Sequence, residues 1–259
     1  MRTKYEERKT NYKEIMNKKL EKLYVIVQVV SFEGEILENT KVTMIYGFNI
    51  LGIKTIIGIY KENTENVRYW LEEIEKIKRR GLEKIIYISM EKNKRLEQAI
   101  KIVYNAEVKQ SINETVEKIA KYTQYKWKSM GERELVEAYL SNDEKEFTKN
   151  IEELKNKYKE NKIGTKLIEE FAKRTIKEIK EDKRIRHLMC SYCTKRRLKQ
   201  AMINAVKEKI EIENIEELIE TRAEYLTMFE RTRSYSKEKW TNILNKIYET
   251  KYEEIEEYL

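Results

Sequence analysis

The sequence has 259 residues, of which 39% are charged and 40% are hydrophobic, and it carries a formal net charge of +8. Such a chain can bury a large core, which excludes a wholly disordered protein, and its charge permits an acidic partner such as nucleic acid without requiring one. No apolar run approaches the roughly 18 residues of a membrane span. Residues 1–16 also lack the apolar segment of a signal peptide, so we expect a cytoplasmic protein.

The first part of the chain predicts a β-sheet. Between residues 23 and 60, three segments rich in Val, Ile, Thr and Tyr are separated by turns at Glu33-Gly34 and Leu51-Gly52. Segments of this composition that are joined by short glycine turns form antiparallel hairpins. The sequence therefore predicts three antiparallel strands.

The next segment predicts a helix, because its hydrophobic residues recur at helical spacing. The helix begins at a predicted N-cap, Thr64, and ends at Gly81. Its apolar stripe consists of Val67, Trp70, Leu71, Ile74 and Ile77. A short apolar strand, LEKIIYISM, a second helix and a short strand at residues 107–110 follow. Strands that alternate with helices add parallel pairing to the antiparallel hairpins.

From about residue 111 the pattern is helical nearly to the end. We therefore predict an α/β protein with a ribonuclease H-like mixed sheet, three antiparallel strands plus parallel strands, a helical insertion and a helical C-terminal part. The expected domains are an N-terminal stub at 1–19, the first part of the core at 20–130, the insertion at 131–183, and core-completing helices with an acidic C-terminal tail at 184–259.

Several motifs resemble those of the Mutator-type transposases of bacterial insertion sequences. In that family a strand reading roughly DALYVKV is followed by DG, IG, EG and LG turns, and then by an E-x-x-x-x-W helix that ends in RG. The matching elements here are Glu21 to Val25, Glu33-Gly34, Tyr46-Gly47, Leu51-Gly52, Ile57-Gly58, Glu65 to Trp70, and Arg80-Gly81. Residues 185–202 and Lys239-Trp240-Thr241 resemble later family segments, so the resemblance spans about residues 20–250. Of the family's N-terminal DNA-reading region, we expect at most the stub at residues 1–19.

The resemblance implies a site in which two Asp and one Glu hold two divalent cations for phosphodiester chemistry. Carried over, these acids fall on Glu21, Glu91 and Arg196. An Asp-to-Glu change moves the carboxylate by roughly an ångström, which can cost about 100-fold in rate, and an arginine removes a ligand altogether. We therefore expect no cofactor and no catalysis, with Mg²⁺ or Mn²⁺ at Glu21 and Glu91 only if activity remains. Ordinary solvated carboxylates are the alternative for these two residues.

Basic residues cluster between positions 181 and 210, where nine Lys or Arg against three Asp or Glu give a local charge of +6. The resemblance places this segment beside the active-site groove, so its side chains are candidates for contacts to DNA phosphates. These candidates are Arg184, Arg186, Lys195, Arg196, Arg197 and Lys199. A solvated basic helix paired with acidic neighbours is the alternative.

The same segment contains His187, Cys190 and Cys193, which suggests zinc because His and Cys are its usual ligands. A structural zinc site takes about four ligands, and the sequence has one His and two Cys in all. A buried helix face is therefore the simpler interpretation, and ligation shared between two chains is the alternative.

These observations favour a transposase-derived DNA-binding protein that is catalytically inactive. Its partners would be DNA and either a second copy or another DNA-binding protein. One alternative is a residually active nuclease or transposase in which Glu21 and Glu91 hold one cation. The other is a protein-interaction module without DNA binding. Divalent-metal-dependent nicking of DNA separates the first two hypotheses, and salt-dependent DNA affinity separates the first from the third.

Overall fold

The structure is a computed structural model that describes residues 11–37, 40–62, 66–122, 128–208 and 215–258. The chain divides into two compact units. The first, here called the sheet unit, combines residues 1–109 with 193–259, and the second, the helical unit, consists of residues 110–192. The helical unit therefore begins earlier and ends later than the insertion expected at 131–183.

The described residues form a five-stranded mixed sheet of order β3-β2-β1-β4-β5. Its strands are β1 (Leu23–Leu37), β2 (Thr40–Phe48), β3 (Lys54–Glu62), β4 (Lys84–Met90) and β5 (Val108–Gln110). Strand β2 pairs antiparallel with both β1 and β3, whereas β1 and β4 are parallel. The predicted mixed sheet is confirmed, and this order is consistent with a ribonuclease H-like arrangement.

Helices α2 (Val67–Arg79) and α3 (Lys94–Tyr104) connect β3 to β4 and β4 to β5. Helix α2 buries Trp70, Ile74 and Ile77 of the predicted stripe. Its N-cap is Asn66, whose side chain accepts a hydrogen bond from the Arg68 N–H, whereas the expected cap Thr64 lies outside the described residues. After α2, Gly81 has a φ of +113°, and a Cβ there would lie 2.9 Å from the Leu20 carbonyl oxygen, so glycine suits both the conformation and the space.

The described part of the expected N-terminal stub belongs to the sheet unit. Helix α1 (Tyr12–Asn17) packs against β3, and its Ile15 is fully buried. The Arg80 guanidinium donates hydrogen bonds to the carbonyl oxygens of Ile15, Lys18 and Ile57 at 2.7–3.0 Å. These bonds join α1, β3 and the end of α2, so α1 is part of the core rather than an appendage.

The sheet unit also contains helices from the end of the chain. These are α9 (Tyr192–Glu208), α10 (Ile215–Thr221), α11 (Ala223–Arg231) and α12 (Lys237–Glu256). Helix α11 packs against β3 and α12 against β4. The segment expected as an acidic tail is the end of α12, where Ile255 is fully buried and Glu254 lies 2.7 Å from the Lys84 ammonium.

The helical unit contains α4 (Asn113–Tyr122), α5 (Lys128–Tyr139), α6 (Glu144–Lys157), α7 (Lys162–Thr175), a 3-10 turn (Glu178–Lys180) and α8 (Lys183–Met189). It has its own hydrophobic core, which includes Val116, Phe147, Ile168 and Phe171. Helix α4 packs against α5 and α7 in that core. This packing explains why the helical unit begins before residue 131.

Candidate functional site

The structure places Glu21 and Glu91 at opposite ends of two paired strands. In the parallel pairing of β1 with β4, Leu23 lies opposite Lys84 and Val29 opposite Met90. Glu21 precedes this paired region and Glu91 follows it. Since a strand rises by about 3.3 Å per residue, the two side chains are on the order of 25 Å apart. This separation argues against the alternative in which Glu21 and Glu91 hold one cation, and Glu21 is an exposed carboxylate.

Glu91, in contrast, is buried and paired. Its side chain is 5% exposed, and its Oε1 lies 2.8 Å from the Nζ of Lys195, whose side chain is also 5% exposed. The other oxygen, Oε2, accepts a hydrogen bond from the backbone N–H of Ser31 at 3.3 Å. The Ser31 hydroxyl is in turn hydrogen-bonded to the Thr43 hydroxyl at 2.8 Å. The alternative of a solvated carboxylate is therefore wrong for Glu91.

Strand β1 places a buried amide on the same face of the sheet as Glu91. Gln28 lies opposite Ser89 in the parallel register, and side chains two apart on a strand share a face, so Gln28 and Glu91 do so too. Gln28 is 3% exposed. It is the one strongly polar residue within the apolar run LYVIVQVV, and that interruption is the sequence signal that could have identified it.

Helix α9 presents Lys195 to the core and Arg196 to solvent. Lys195, Leu198 and Met202 are buried at a helical spacing, whereas Arg196 and Arg197 are exposed. The cation that contacts the buried acid is therefore Lys195, whereas the resemblance suggested Arg196. Lys195 was expected to line a DNA channel, but its ammonium is committed to Glu91. A lysine in line with Leu198 and Met202 is the sequence signal for this burial.

Two other expected DNA contacts lie in the helical unit. Arg186 is fully buried, and its guanidinium donates hydrogen bonds to the carbonyl oxygens of Glu181, Tyr139 and Ser141. Arg186 therefore joins α8 to the end of α5 and is not accessible to DNA, because its donors are used inside the unit. Arg184 is exposed and makes a bidentate pair with Asp182 at 2.8 and 2.9 Å.

The acids in the described part of the chain do not fit a two-cation site. Among the described residues, no group of three or more His, Cys, Asp or Glu could hold a metal ion. The same finding gives no support to a zinc site at His187, Cys190 and Cys193. Glu91, which contacts Lys195 and shares a sheet face with Gln28, has no converging carboxylates among the described residues, and divalent cations require these.

Two motifs that are far apart in the sequence meet in the sheet unit. The Trp240 indole stacks on Phe48 with ring centroids 6.0 Å apart, and its Nε1–H donates a hydrogen bond to the Ile50 carbonyl at 2.9 Å. Gly52 has a φ of +71°, and a Cβ there would lie 2.7 Å from the indole. The Leu51-Gly52 turn and the Lys239-Trp240-Thr241 motif therefore form one contact.

This mixed sheet of parallel and antiparallel strands is consistent with a ribonuclease H-like arrangement. The family described as Transposase, Mutator family, matches residues 5–221. The chain belongs to that family. The match ends before the Lys239-Trp240-Thr241 motif, and a search of curated proteins found none that matches. No helix in the described part of the chain is long and apolar enough to cross a membrane.

Proposed function

We propose that this member of the Mutator transposase family binds DNA through phosphate contacts and does not cleave it. The observation that carries the proposal is the buried ion pair between Glu91 and Lys195. The proposal places the protein in a transposition-related role in which it occupies DNA without breaking a strand.

The ion pair argues against cleavage because of where the positive charge lies. Metal-dependent attack on a phosphodiester needs carboxylates that converge on divalent cations. Here the carboxylate of Glu91 contacts an ammonium through one oxygen and a backbone N–H through the other. A cation that took the place of Lys195 would leave its ammonium buried and unpaired, which costs several kcal/mol. The lysine therefore stabilises the acid in a form that does not bind metal.

Exposed basic residues that follow Glu91 and Lys195 in the chain support DNA binding. Lys195 contacts Glu91, and the neighbours of these two residues in the chain, Arg196 on α9 and Lys92 after β4, are both exposed, as is Lys94. Lys199, which is half-buried, lies one turn further along α9. Exposed lysine and arginine side chains bind DNA mainly through phosphates, with little dependence on sequence.

The test is a titration of labelled duplex and branched DNA at two salt concentrations, with and without Mg²⁺ or Mn²⁺. We expect binding that weakens with salt and no nicked product. The double variant Arg196→Gln, Lys199→Gln should bind more weakly, with a salt slope reduced by up to about 1.8 because two phosphate contacts are lost. Lys101→Gln is the matched control, because Lys101 is exposed on α3 and pairs with Glu97.

Each other result selects a different hypothesis. Nicking that requires a divalent cation would support the residually active nuclease and contradict the proposal. An absence of salt-sensitive binding to either DNA would also contradict it, and would favour the protein-interaction module.

A further inference from the structure

The turn between β2 and β3, residues 49–53 and here called the apolar turn, presents two aliphatic side chains to solvent. Leu51 is 59% exposed and Ile53 is 37% exposed. A single exposed aliphatic residue is common on protein surfaces and needs no explanation. Here two of them lie on one short turn, and the turn contacts a segment that is rich in cations.

Hydrogen bonds fix the backbone of the apolar turn. The Asn49 side chain accepts hydrogen bonds from the backbone N–H groups of Leu51 and Ile53, both at 3.0 Å. The Asn49 N–H donates to the Ile53 carbonyl at 3.1 Å, and the Gly52 N–H donates to the Asn49 carbonyl at 2.9 Å. The side chain of Leu51 is therefore presented to solvent from an ordered backbone. A preorganised contact of this kind loses less entropy when a partner binds.

Aromatic contacts join the apolar turn to the chain between α11 and α12. The Trp240 Nε1–H donates to the Ile50 carbonyl at 2.9 Å. The centroid of the Tyr235 ring lies 5.8 Å from that of Trp240 and 6.1 Å from that of Phe48, the residue before the turn. The Lys239 ammonium lies 5.5 Å from the Tyr235 centroid. The same aromatic cluster therefore supports the turn and holds a cation.

Residues 231–239, here called the basic segment, are positively charged and mostly exposed. The segment contains four Lys or Arg and one Glu, which gives a local charge of +3. Arg231, Arg233 and Lys237 are all exposed. Among the described residues, no ion pair or hydrogen bond involves the side chains of these three. Their charges are therefore available to an external polyanion, and DNA phosphates are such a partner.

We propose that the basic segment binds DNA phosphates while Leu51 inserts between neighbouring bases of the same DNA. The inference rests on the proposed function, and it adds a second contact region to the exposed cations that follow Glu91 and Lys195 in the chain. Proteins that kink DNA insert apolar side chains between base steps, with Arg and Lys beside the insertion. Leu51 suits this role because it is exposed, aliphatic and carried by an ordered turn next to cations.

DNA fits this surface better than an anionic membrane, which also attracts basic and apolar side chains. Protein segments that lie on a membrane bury a broad apolar face in it. The apolar turn offers two aliphatic side chains, and the rings of Phe48 and Trp240 behind it are buried. A narrow apolar projection matches the gap between two base pairs. Membership of the Mutator transposase family also favours DNA.

Insertion of Leu51 predicts a preference for DNA that is easily unstacked. A mismatched base pair costs less to unstack than a matched one. Wild type should therefore bind a duplex with a central mismatch about tenfold more tightly than the matched duplex at the same salt concentration. Phosphate contacts alone give no such preference, because the two duplexes carry the same charge.

The experiment combines these two affinities with the fluorescence of 2-aminopurine placed beside the mismatch. Wild type should increase the fluorescence, because stacking quenches this base and insertion relieves the quenching. Leu51→Ser should lose both the increase and the tenfold preference but keep the salt slope of wild type. Ile102→Ser is the matched control and should behave as wild type, because Ile102 is an aliphatic residue of α3 that is 61% exposed.

A second variant tests the phosphate contacts. Arg233→Gln, Lys237→Gln should reduce the salt slope by up to about 1.8, the value for two lost phosphate contacts. An unchanged slope would show that the basic segment does not touch the DNA. Both substituted residues are exposed, as is Leu51, so these variants should fold as wild type does.

The outcomes separate this inference from the proposed function. If wild type shows no salt-sensitive binding to either duplex, the proposed function fails and the inference fails with it. If wild type binds both duplexes equally and the fluorescence does not change, only the insertion of Leu51 is wrong. The insertion is also wrong if Leu51→Ser keeps the preference and the fluorescence increase. Sedimentation with phosphatidylserine vesicles is the last arm, and binding that depends on Leu51 for vesicles but not for DNA would overturn the DNA assignment.

Discussion

Lys195 and Glu91 form a buried ion pair, with 2.8 Å between the ammonium and one carboxylate oxygen. The pair joins α9 to the end of β4, so it has a structural role whatever the protein does with DNA. Lys195→Met should destabilise the protein by about 3–5 kcal/mol, because it leaves a buried carboxylate unpaired. Chemical denaturation measures this change.

The control for that prediction is the double variant Lys195→Met, Glu91→Met. Replacing both charges by apolar groups of similar size should recover most of the lost stability. A double-mutant cycle gives the coupling energy between the two residues. A coupling energy near zero would show that the two side chains do not depend on each other in solution.

Gln28 and Glu91 share a face of the sheet. Introducing a second carboxylate at position 28 therefore tests whether this face can bind a divalent cation. In the variant Gln28→Asp, Lys195→Ser, two carboxylates lie on that face and the ammonium is gone. We expect Mn²⁺ to raise the melting temperature of this variant and to leave that of wild type unchanged, because only the variant offers two acids. Thermal unfolding with and without Mn²⁺ provides the measurement.

Glu21→Gln in wild type is the companion experiment. The residue is exposed and lies at the far end of β1 from Glu91, so this change should alter neither stability nor any response to metal. A loss of metal-dependent nicking on this substitution would contradict the placement of Glu21 outside the site.

The contact between Gly52 and Trp240 predicts how much a methyl group added at residue 52 lowers the stability of the protein. Gly52→Ala places a Cβ against the indole and at a positive φ, so it should destabilise by about 2 kcal/mol or more. The tryptophan fluorescence should also change, because the indole must move. Leu51→Ala, at a residue 59% exposed in the same turn, should change stability by less than about 0.5 kcal/mol. Equal effects of the two substitutions would contradict the contact.

Arg186 and Arg184 are close in the sequence, but substituting them should have different effects on stability. Arg186→Met leaves buried carbonyl groups at Tyr139 and Ser141 without donors, so the helical unit should lose about 3 kcal/mol of stability. Hydrogen exchange across residues 110–192 would detect this loss. Arg184→Met should have little effect because the side chain is exposed. A variant Arg186→Met that is as stable as Arg184→Met would contradict the buried role.

Much of the sheet could be predicted from the sequence because local signals specify it. Glycine turns such as Leu51-Gly52 and the apolar stripe of α2 follow from short-range chemistry. The site could not be predicted in the same way. Whether Glu21 or Gln28 lies nearer to Glu91 depends on the register between β1 and β4, whose paired residues are 61 positions apart in the chain. Arg186 and Lys195 are buried because they lie on the inward faces of their helices. The net charge of a segment does not distinguish a buried cation from an exposed one.

Glu230 has a consequence for the order in which the chain folds during synthesis. It accepts hydrogen bonds from the Lys18 ammonium and from the backbone N–H of Ile56. A residue of α11 therefore bonds to the segment after α1 and to β3, which are synthesised much earlier. The whole helical unit is translated between these partners. Because chains emerge from the ribosome N-terminus first, the helical unit can fold while the sheet still lacks α11 and α12. Completion of the sheet unit is therefore a late event, and until then the parts of β3 and β4 that α11 and α12 contact remain uncovered by these helices.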